Sequence, residues 1–130
     1  MTSDSKKVLF VDDDKFLLDM YALKFTKAGY DVKTSDATET AFKMIQDGYT
    51  PDIMLIDIIM PGMDGLDLLS NIRKQNLCKD TAFIFLTNQA ESDDVSRAKK
   101  LNADGYIVKA TTIPSEVLTE VEKIYSNKKK

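Results

Sequence analysis

Acidic residues follow two apolar runs of the sequence, and their type and position suit them for chemistry. The run IMLI is followed at once by Asp57, and the run VLFV by Asp12 and Asp13. An ionised carboxylate at the rim of a core is unstable unless a cation or hydrogen-bond donors meet it. Carboxylates gathered without His or Cys are ligands that favour Mg²⁺ over zinc. The acids therefore predict a Mg²⁺ site.

Two other apolar runs also end in polar residues. The run AFIFL is followed by Thr87, and GYIV by Lys109. With a metal in place, Asp57 can act as a nucleophile towards phosphorus and form an aspartyl phosphate. The Thr87 hydroxyl and the Lys109 ammonium would then contact the phosphoryl oxygens. The four strand ends together predict a phosphoryl-transfer site with Asp57 as its acceptor.

Strands and helices that alternate along the chain would position these residues. Each apolar or β-rich run precedes a segment of helical spacing, marked in the first case by Phe16, Met20, Leu23 and Phe25. We expect the Met and Phe residues on the helices to be core residues. Alternation of this kind predicts a parallel sheet covered on both faces, whose strand ends share one edge. The run DVKTS at residues 31–35 is the most polar of the five and suits an edge strand. The predicted strands span residues 8–11, 31–35, 53–56, 82–86 and 105–108.

Helix boundaries and later helices have weaker signals. Gly29 and Gly48 stand where helices would end, and Pro114 suits the first turn of the last helix. Asp14 and Asp64 are each plausible helix caps. The remaining helices are marked by Ala41, Met44 and Ile45; Leu66, Leu69 and Ile72; Val95, Ala98 and Leu101; and Val117, Leu118, Val121 and Ile124.

Length and composition are those of one globular domain. The chain has 130 residues, 43% of them hydrophobic and 30% charged, which predicts a single domain over 1–130 with a core at about 6–126 and a basic tail at 127–130. No apolar stretch approaches the roughly 20 residues of a membrane span, and the polar start lacks a secretory signal. The lone Cys78 fits a reducing compartment. We expect a cytoplasmic protein without membrane contact.

The absence of histidine narrows the chemistry further. With no His in the chain, Ser-His-Asp and Cys-His catalysis, imidazole zinc sites and an internal phosphohistidine are excluded. Any histidine chemistry must come from a partner. A net charge of -3 and a pI near 5.0 argue against direct nucleic-acid binding.

Four motifs at the strand ends carry a family resemblance. These are FVDDD, DIIMPGMDG, FLT and GYIVK. With them the chain resembles the receiver domains of two-component response regulators, above all single-domain chemotaxis-type receivers, over nearly its whole length. The resemblance implies an α/β flavodoxin-like (βα)5 three-layer sandwich, with a parallel five-stranded sheet of order 2-1-3-4-5.

The resemblance also implies a role for each site residue. Asp57 is the phosphoacceptor, and Thr87 and Tyr106 form a switch in which the Thr hydroxyl and then the aromatic ring move inward after phosphorylation. This movement reshapes the face made by helix 4, strand 5 and helix 5, where a downstream partner docks. The implied Mg²⁺ ligands are Asp12, Asp13, Asp57 and the backbone carbonyl of Ile59.

Partners follow from the same resemblance. A histidine kinase or phosphotransfer protein would donate the phosphoryl group, and an unknown downstream protein would read the switch. The chain would be a signalling switch rather than an enzyme, limited to its own phosphorylation and slow dephosphorylation, and a monomer or a phosphorylation-dependent dimer. With only a lysine tail after residue 127, its output would pass through a partner, or the chain is a piece of a longer protein.

Several positions depart from the family pattern and leave alternatives open. Ala110 replaces the usual Pro after Lys109, and we expect a trans bond there. Asn88 stands where a small residue is common. Ile59, Gln89 and Asp14 are predicted to set the lifetime of the phosphorylated state. Two rival classes are a flavodoxin-like cofactor-binding protein, which the acidic loop after the first strand disfavours, and a receiver-like interaction module that no longer takes phosphate.

Overall fold

Five strands alternate with five helices in a computed structural model that describes residues 5–87, 92–109 and 112–129. Each predicted strand is present, and Asp57 and Thr87 are the last residues of their strands rather than the first residues after them. The elements are β1 (Lys7–Val11), α1 (Lys15–Lys27), β2 (Asp31–Ser35), α2 (Thr38–Gln46), β3 (Ile53–Asp57), α3 (Gly65–Lys74), β4 (Ala82–Thr87), α4 (Ser92–Lys100), β5 (Gly105–Val108) and α5 (Pro114–Lys129).

The strands form one parallel sheet in the order β2-β1-β3-β4-β5, which confirms the predicted topology. Alternate residues of β1 pack on opposite faces: Leu9 lies in a core cluster with residues of α2, α3 and α4, and Phe10 in a cluster with residues of α1 and α5. The molecule is therefore a three-layer sandwich, and the polar β2 lies at an edge as predicted.

Local capping explains where the helices begin and end. The Asp14 carboxylate accepts a hydrogen bond from the Leu17 N–H at 3.2 Å and caps α1. Asp64 and Asp67 form a reciprocal capping box at the start of α3. Gly29 and Gly48 have φ of 99° and 111° just after α1 and α2, a conformation that favours glycine. Both predicted caps and both predicted glycine stops are confirmed.

The prediction that the Met and Phe residues of α1 are core is confirmed for Phe25 and wrong for Phe16, while Met20 is half-buried. Phe16 is 72% exposed and Leu23 is 59% exposed. The buried face consists instead of Leu18, Tyr21 and Phe25. Residues three and four positions apart share a helix face, and this helix carries two apolar stripes on opposite sides. Only packing decides which of them is buried.

The C-terminal end also differs from expectation. Residues 127–129, predicted to belong to a basic tail outside the core, continue α5 to Lys129. The Lys128 Nζ lies 3.2 Å from Asp104 Oδ1, and this contact with the residue before β5 anchors the last turn. Among the described residues, no helix is both long enough and apolar enough to cross a bilayer.

Candidate functional site: an acidic crevice at the carboxyl edge of the sheet

Four neighbouring strands deliver the predicted site residues to one edge of the sheet. Asp12 directly follows β1, and Asp57 ends β3, the strand next to it. Thr87 ends β4 and pairs in register with Val108, the residue before Lys109. Asp12, Asp57 and Thr87 are all buried. Parallel strands place their carboxyl ends together, and the crevice expected from the sequence is present.

Lys109 joins the two buried carboxylates. Its Nζ donates hydrogen bonds to Asp12 Oδ2 at 2.9 Å and to Asp57 Oδ2 at 3.1 Å, and its side chain is only 6% exposed. Hydrogen bonds between ionised groups are stronger than neutral ones, particularly away from water. Lys109 therefore supplies the cation that the carboxylates of Asp12 and Asp57 require at the rim of the core.

Backbone donors hold the second oxygen of each carboxylate. The Asp14 N–H donates to Asp12 Oδ1 at 2.9 Å, and the Ile59 N–H donates to Asp57 Oδ1 at 3.2 Å. Each acid is thus held at both oxygens, one by Lys109 and one by the loop that follows its own strand. Asp14 has its carboxylate at the cap of α1, and Ile59 has an exposed side chain; neither observation tests their predicted effect on phosphoryl lifetime.

Gly65 permits the chain to pass close behind Asp57. A Cβ at this position would lie 2.3 Å from the Asp57 carbonyl oxygen and 2.8 Å from Ile56 Cγ2, distances that no real side chain occupies. Its N–H donates to the Ile58 carbonyl at 2.9 Å. Gly65 therefore admits the start of α3 against the end of β3.

Helix α2 supports the loop after Asp57 through contacts that the sequence did not predict. The Thr38 hydroxyl donates to the Met63 carbonyl, and the Met63 N–H donates to a Glu39 carboxylate oxygen at 3.4 Å. These pairs lie 25 and 24 residues apart in the chain, and no motif links them. The one sequence signal was the presence of two polar residues at the start of α2.

The electrostatics of the crevice distinguish Asp57 from an ordinary surface acid. Burial raises its pKa from 3.8 to about 6, with the nearby Asp12 adding to the rise and Lys109 opposing it. For Lys109, burial acts to lower the pKa, but the Asp12 and Asp57 carboxylates outweigh it and the net pKa is raised. Two buried carboxylates share one ammonium group, so negative charge remains in the crevice and a further cation would relieve it.

Three carboxylates offer a place for such a cation. Asp12, Asp13 and Asp57 each present an oxygen, and these atoms lie within 4.8 Å of one another. Asp13 is exposed while the other two are buried, so that the group opens to solvent on one side. An all-oxygen set of this kind fits the preference of Mg²⁺, and the residues present are compatible with the predicted metal.

The two predicted switch residues differ in exposure. Thr87 is buried, whereas Tyr106 on the edge strand β5 is 41% exposed. A cavity of about 530 Å³ lies between β5 and α5, lined in part by Tyr106, Glu116 and Glu120. The tyrosine ring therefore borders an open groove. The predictions made for Asn88, Gln89 and Ala110 fall outside the described residues.

The fold and site together define a doubly wound α/β protein with an acidic, lysine-bridged crevice at its sheet edge. The sequence matches the response regulator receiver domain over residues 8–122. It is 30% identical over 119 residues to the phosphate regulon transcriptional regulatory protein PhoB of Pseudomonas aeruginosa, covering 92% of this chain and 51% of that protein. It is 31% identical over 123 residues to the response regulator SaeR of Staphylococcus aureus, covering 95% and 52%.

Solved structures agree with this match. The Vibrio cholerae chemotaxis protein CheY4 superposes with a TM-score of 0.85 at 28% identity, covering 92% of this chain and 98% of that chain. A CheY-like receiver domain from Methanospirillum hungatei gives 0.86 at 25% identity, covering 96% and 97%. The chain belongs to the response regulator receiver domain family. It spans about half the length of the curated relatives it matches.

Proposed function

We propose that this protein is a Mg²⁺-dependent phosphoacceptor, in which Asp57 receives a phosphoryl group from a histidine kinase or a phosphotransfer protein. The observation that carries the proposal is Lys109 bridging Asp57 and Asp12 beside a third carboxylate. A structural ion pair would need only one acid. Two buried acids around one lysine, with Asp13 open to solvent, suit a site that accepts further charge.

The chain's own residues account for the transfer. Asp57, with a pKa of about 6, is mostly ionised near pH 7, and a carboxylate oxygen attacks phosphorus while the bond from phosphorus to the donor atom breaks. Lys109 can follow the new phosphoryl oxygens as a mobile point charge. Mg²⁺, held by Asp12, Asp13, Asp57 and the backbone carbonyl of Ile59, would neutralise charge on the phosphoryl group.

Signal output is the second part of the proposal. A phosphoryl group adds about -1.5 to -2 charges at neutral pH, and the Thr87 hydroxyl at the end of β4 is the donor expected to turn towards it. Tyr106 would then move from its exposed position into the space that Thr87 leaves. A downstream protein would read the resulting change on the face formed by α4, β5 and α5.

The proposed role is that of a switch and not of an enzyme with an external substrate. The self-phosphorylation and slow hydrolysis of Asp57 would be its only chemistry. We also place the protein in the cytoplasm, because the buried free thiol of Cys78 suits a reducing compartment.

The direct test is the intact mass after incubation with acetyl phosphate, with and without Mg²⁺. We expect one added phosphoryl group in the wild type, none in Asp57→Asn, and none with EDTA. Asp80→Asn, which removes an exposed acid, serves as the matched control and should be phosphorylated normally. Beryllofluoride binding is the second readout for a short-lived adduct.

The outcomes separate the two classes left open by the sequence. An adduct that needs both Asp57 and Mg²⁺ supports the phosphoacceptor. The absence of both an adduct and a beryllofluoride complex contradicts it and favours a phosphate-independent interaction module. For the switch, NMR of the beryllofluoride complex should show the Tyr106 ring protected from solvent; a ring that stays exposed contradicts that part alone.

A further inference from the structure

The outer face of α1 carries an apolar stripe that no other described residue covers. Phe16 and Leu23 are 72% and 59% exposed, and Met20 between them is half-buried. Positions separated by seven residues lie two helical turns apart on one face. Two large apolar side chains so exposed on one face of a helix indicate a surface that another molecule contacts.

The stripe lies opposite the face that α1 buries. Leu18, Tyr21 and Phe25 pack under the helix, and at 100° per residue the mean direction of Phe16 and Leu23 is about 180° from theirs. The core of this domain is complete without the stripe. The exposed residues therefore contribute nothing to the packing of α1 on the sheet.

The charges at the two ends of the stripe have opposite signs. Asp13 and Asp14 precede the first turn of α1 and outnumber the single Lys15 at its start, and Lys24 and Lys27 lie in its last turn. Two copies of this helix packed side by side in parallel would place like charges together. Packed antiparallel, they would place acids opposite lysines at both ends and would also oppose their helix dipoles favourably.

We propose that α1 is a self-association surface, on which a second copy of this chain packs its own α1 antiparallel across a two-fold axis near Met20. Phe16 of each copy then contacts Leu23 of the other, and Lys27 approaches the acidic N-terminal end of the other α1. Such an interface is isologous, since each contact occurs twice. This proposal goes beyond the phosphoacceptor function and does not depend on it.

The size of the contact sets the strength of the dimer. A helix of 13 residues is about 20 Å long, so that one helix pair buries less than the roughly 1,200 Å² of a standard stable interface. We therefore expect weak association, with a dissociation constant of about 0.1 to 1 mM. Such a dimer forms at high local concentration and lies on the α1 side of the sheet, away from α4.

Sedimentation equilibrium of the full chain between about 10 µM and 1 mM tests the surface. We expect the wild type to shift from monomer to dimer over this range. Leu23→Glu should remain monomeric, because it puts an acid in the apolar contact. Ile113→Glu is the matched control, since Ile113 is 60% exposed but lies outside α1, and it should dimerise like the wild type.

Cysteine cross-linking tests the antiparallel arrangement. In a Cys78→Ala background, a mixture of Phe16→Cys and Leu23→Cys, one of them isotope-labelled, should give the mixed disulfide in more than the statistical proportion. Met20→Cys should cross-link to itself. Homodimers of Phe16→Cys and of Leu23→Cys as the main products would indicate a parallel pair and overturn the arrangement.

A wild type that stays monomeric at the highest concentration overturns the proposal and leaves the stripe to a different protein. Equal loss of association in Leu23→Glu and Ile113→Glu also overturns it, because the effect would then follow net charge and not the α1 surface. Neither result bears on phosphorylation of Asp57, so the two proposals fail separately.

Discussion

Replacing Asp57 by Asn should stabilise the metal-free protein at neutral pH while removing the phosphoacceptor. The folded protein holds the Asp57 pKa at about 6, against 3.8 for an unperturbed side chain, chiefly because the carboxyl group is buried. Between these two pH values the folded state binds more protons than the unfolded state. The contribution of Asp57 to the free energy of unfolding therefore falls as pH rises from about 4 to about 6.

The magnitude follows from the pKa difference. A rise from 3.8 to about 6 is about two pKa units, and at about 1.36 kcal/mol per unit it corresponds to about 3 kcal/mol of lost stability at pH 7. Asn resembles the protonated acid in shape and charge and does not titrate. Asp57→Asn should thus equal the wild type near pH 4 and exceed it by up to about 3 kcal/mol at pH 7.

Urea unfolding in EDTA at a series of pH values is the assay. The difference between variant and wild type isolates Asp57, because the other acids titrate in both proteins. Asp80→Asn, an exposed acid, should show no comparable pH-dependent gain. An Asp57→Asn protein that is less stable than the wild type at pH 7, or a difference that does not change with pH, would refute the reasoning, since Lys109 would then outweigh burial.

Three other perturbations have defined outcomes. Mg²⁺ should raise the unfolding temperature of the wild type far more than that of Asp12→Asn, because a ligand that binds the folded state stabilises it. At a Mg²⁺ concentration of 100 times the dissociation constant, the gain in free energy of unfolding is about 2.7 kcal/mol. Thermal denaturation with EDTA as the reference measures this gain. Gly65→Ala should destabilise the protein by more than about 2 kcal/mol, because its Cβ would meet the Asp57 carbonyl; an effect below that of Ser70→Ala in urea unfolding would contradict this. Asp64→Ala should cost about 1 kcal/mol by removing the α3 capping box, and an unchanged urea midpoint would count against that cap.

Much of the fold was predictable because its signals are local. The runs before Asp12, Asp57, Thr87 and Lys109 predicted the strands of the crevice, and Gly29 marked the end of its helix. The parallel topology then implied that the four polar residues would meet. Their assembly required no contact information, since strands that run in one direction must end at one edge.

Other features depended on contacts that sequence patterns do not encode. Phe16 and Leu18 are equally apolar choices for the buried side of α1, and only the fit against β1 and α5 selects Leu18. The hydrogen bond between Thr38 and Met63 joins segments with no shared motif. The error at α1 arose because hydrophobicity shows which residues can be buried, but not which of two stripes will be.

The sequence by itself determined which groups meet in the crevice, because residue type and strand order are both properties of the chain. Tertiary structure alone decided their energetics: the pKa of Asp57 depends on how completely it is buried and on where Lys109 and Asp12 lie around it. It also decided that the outer stripe of α1 stays exposed. Burial and the interactions between charges depend on which groups are neighbours in space, and these need not be neighbours in sequence.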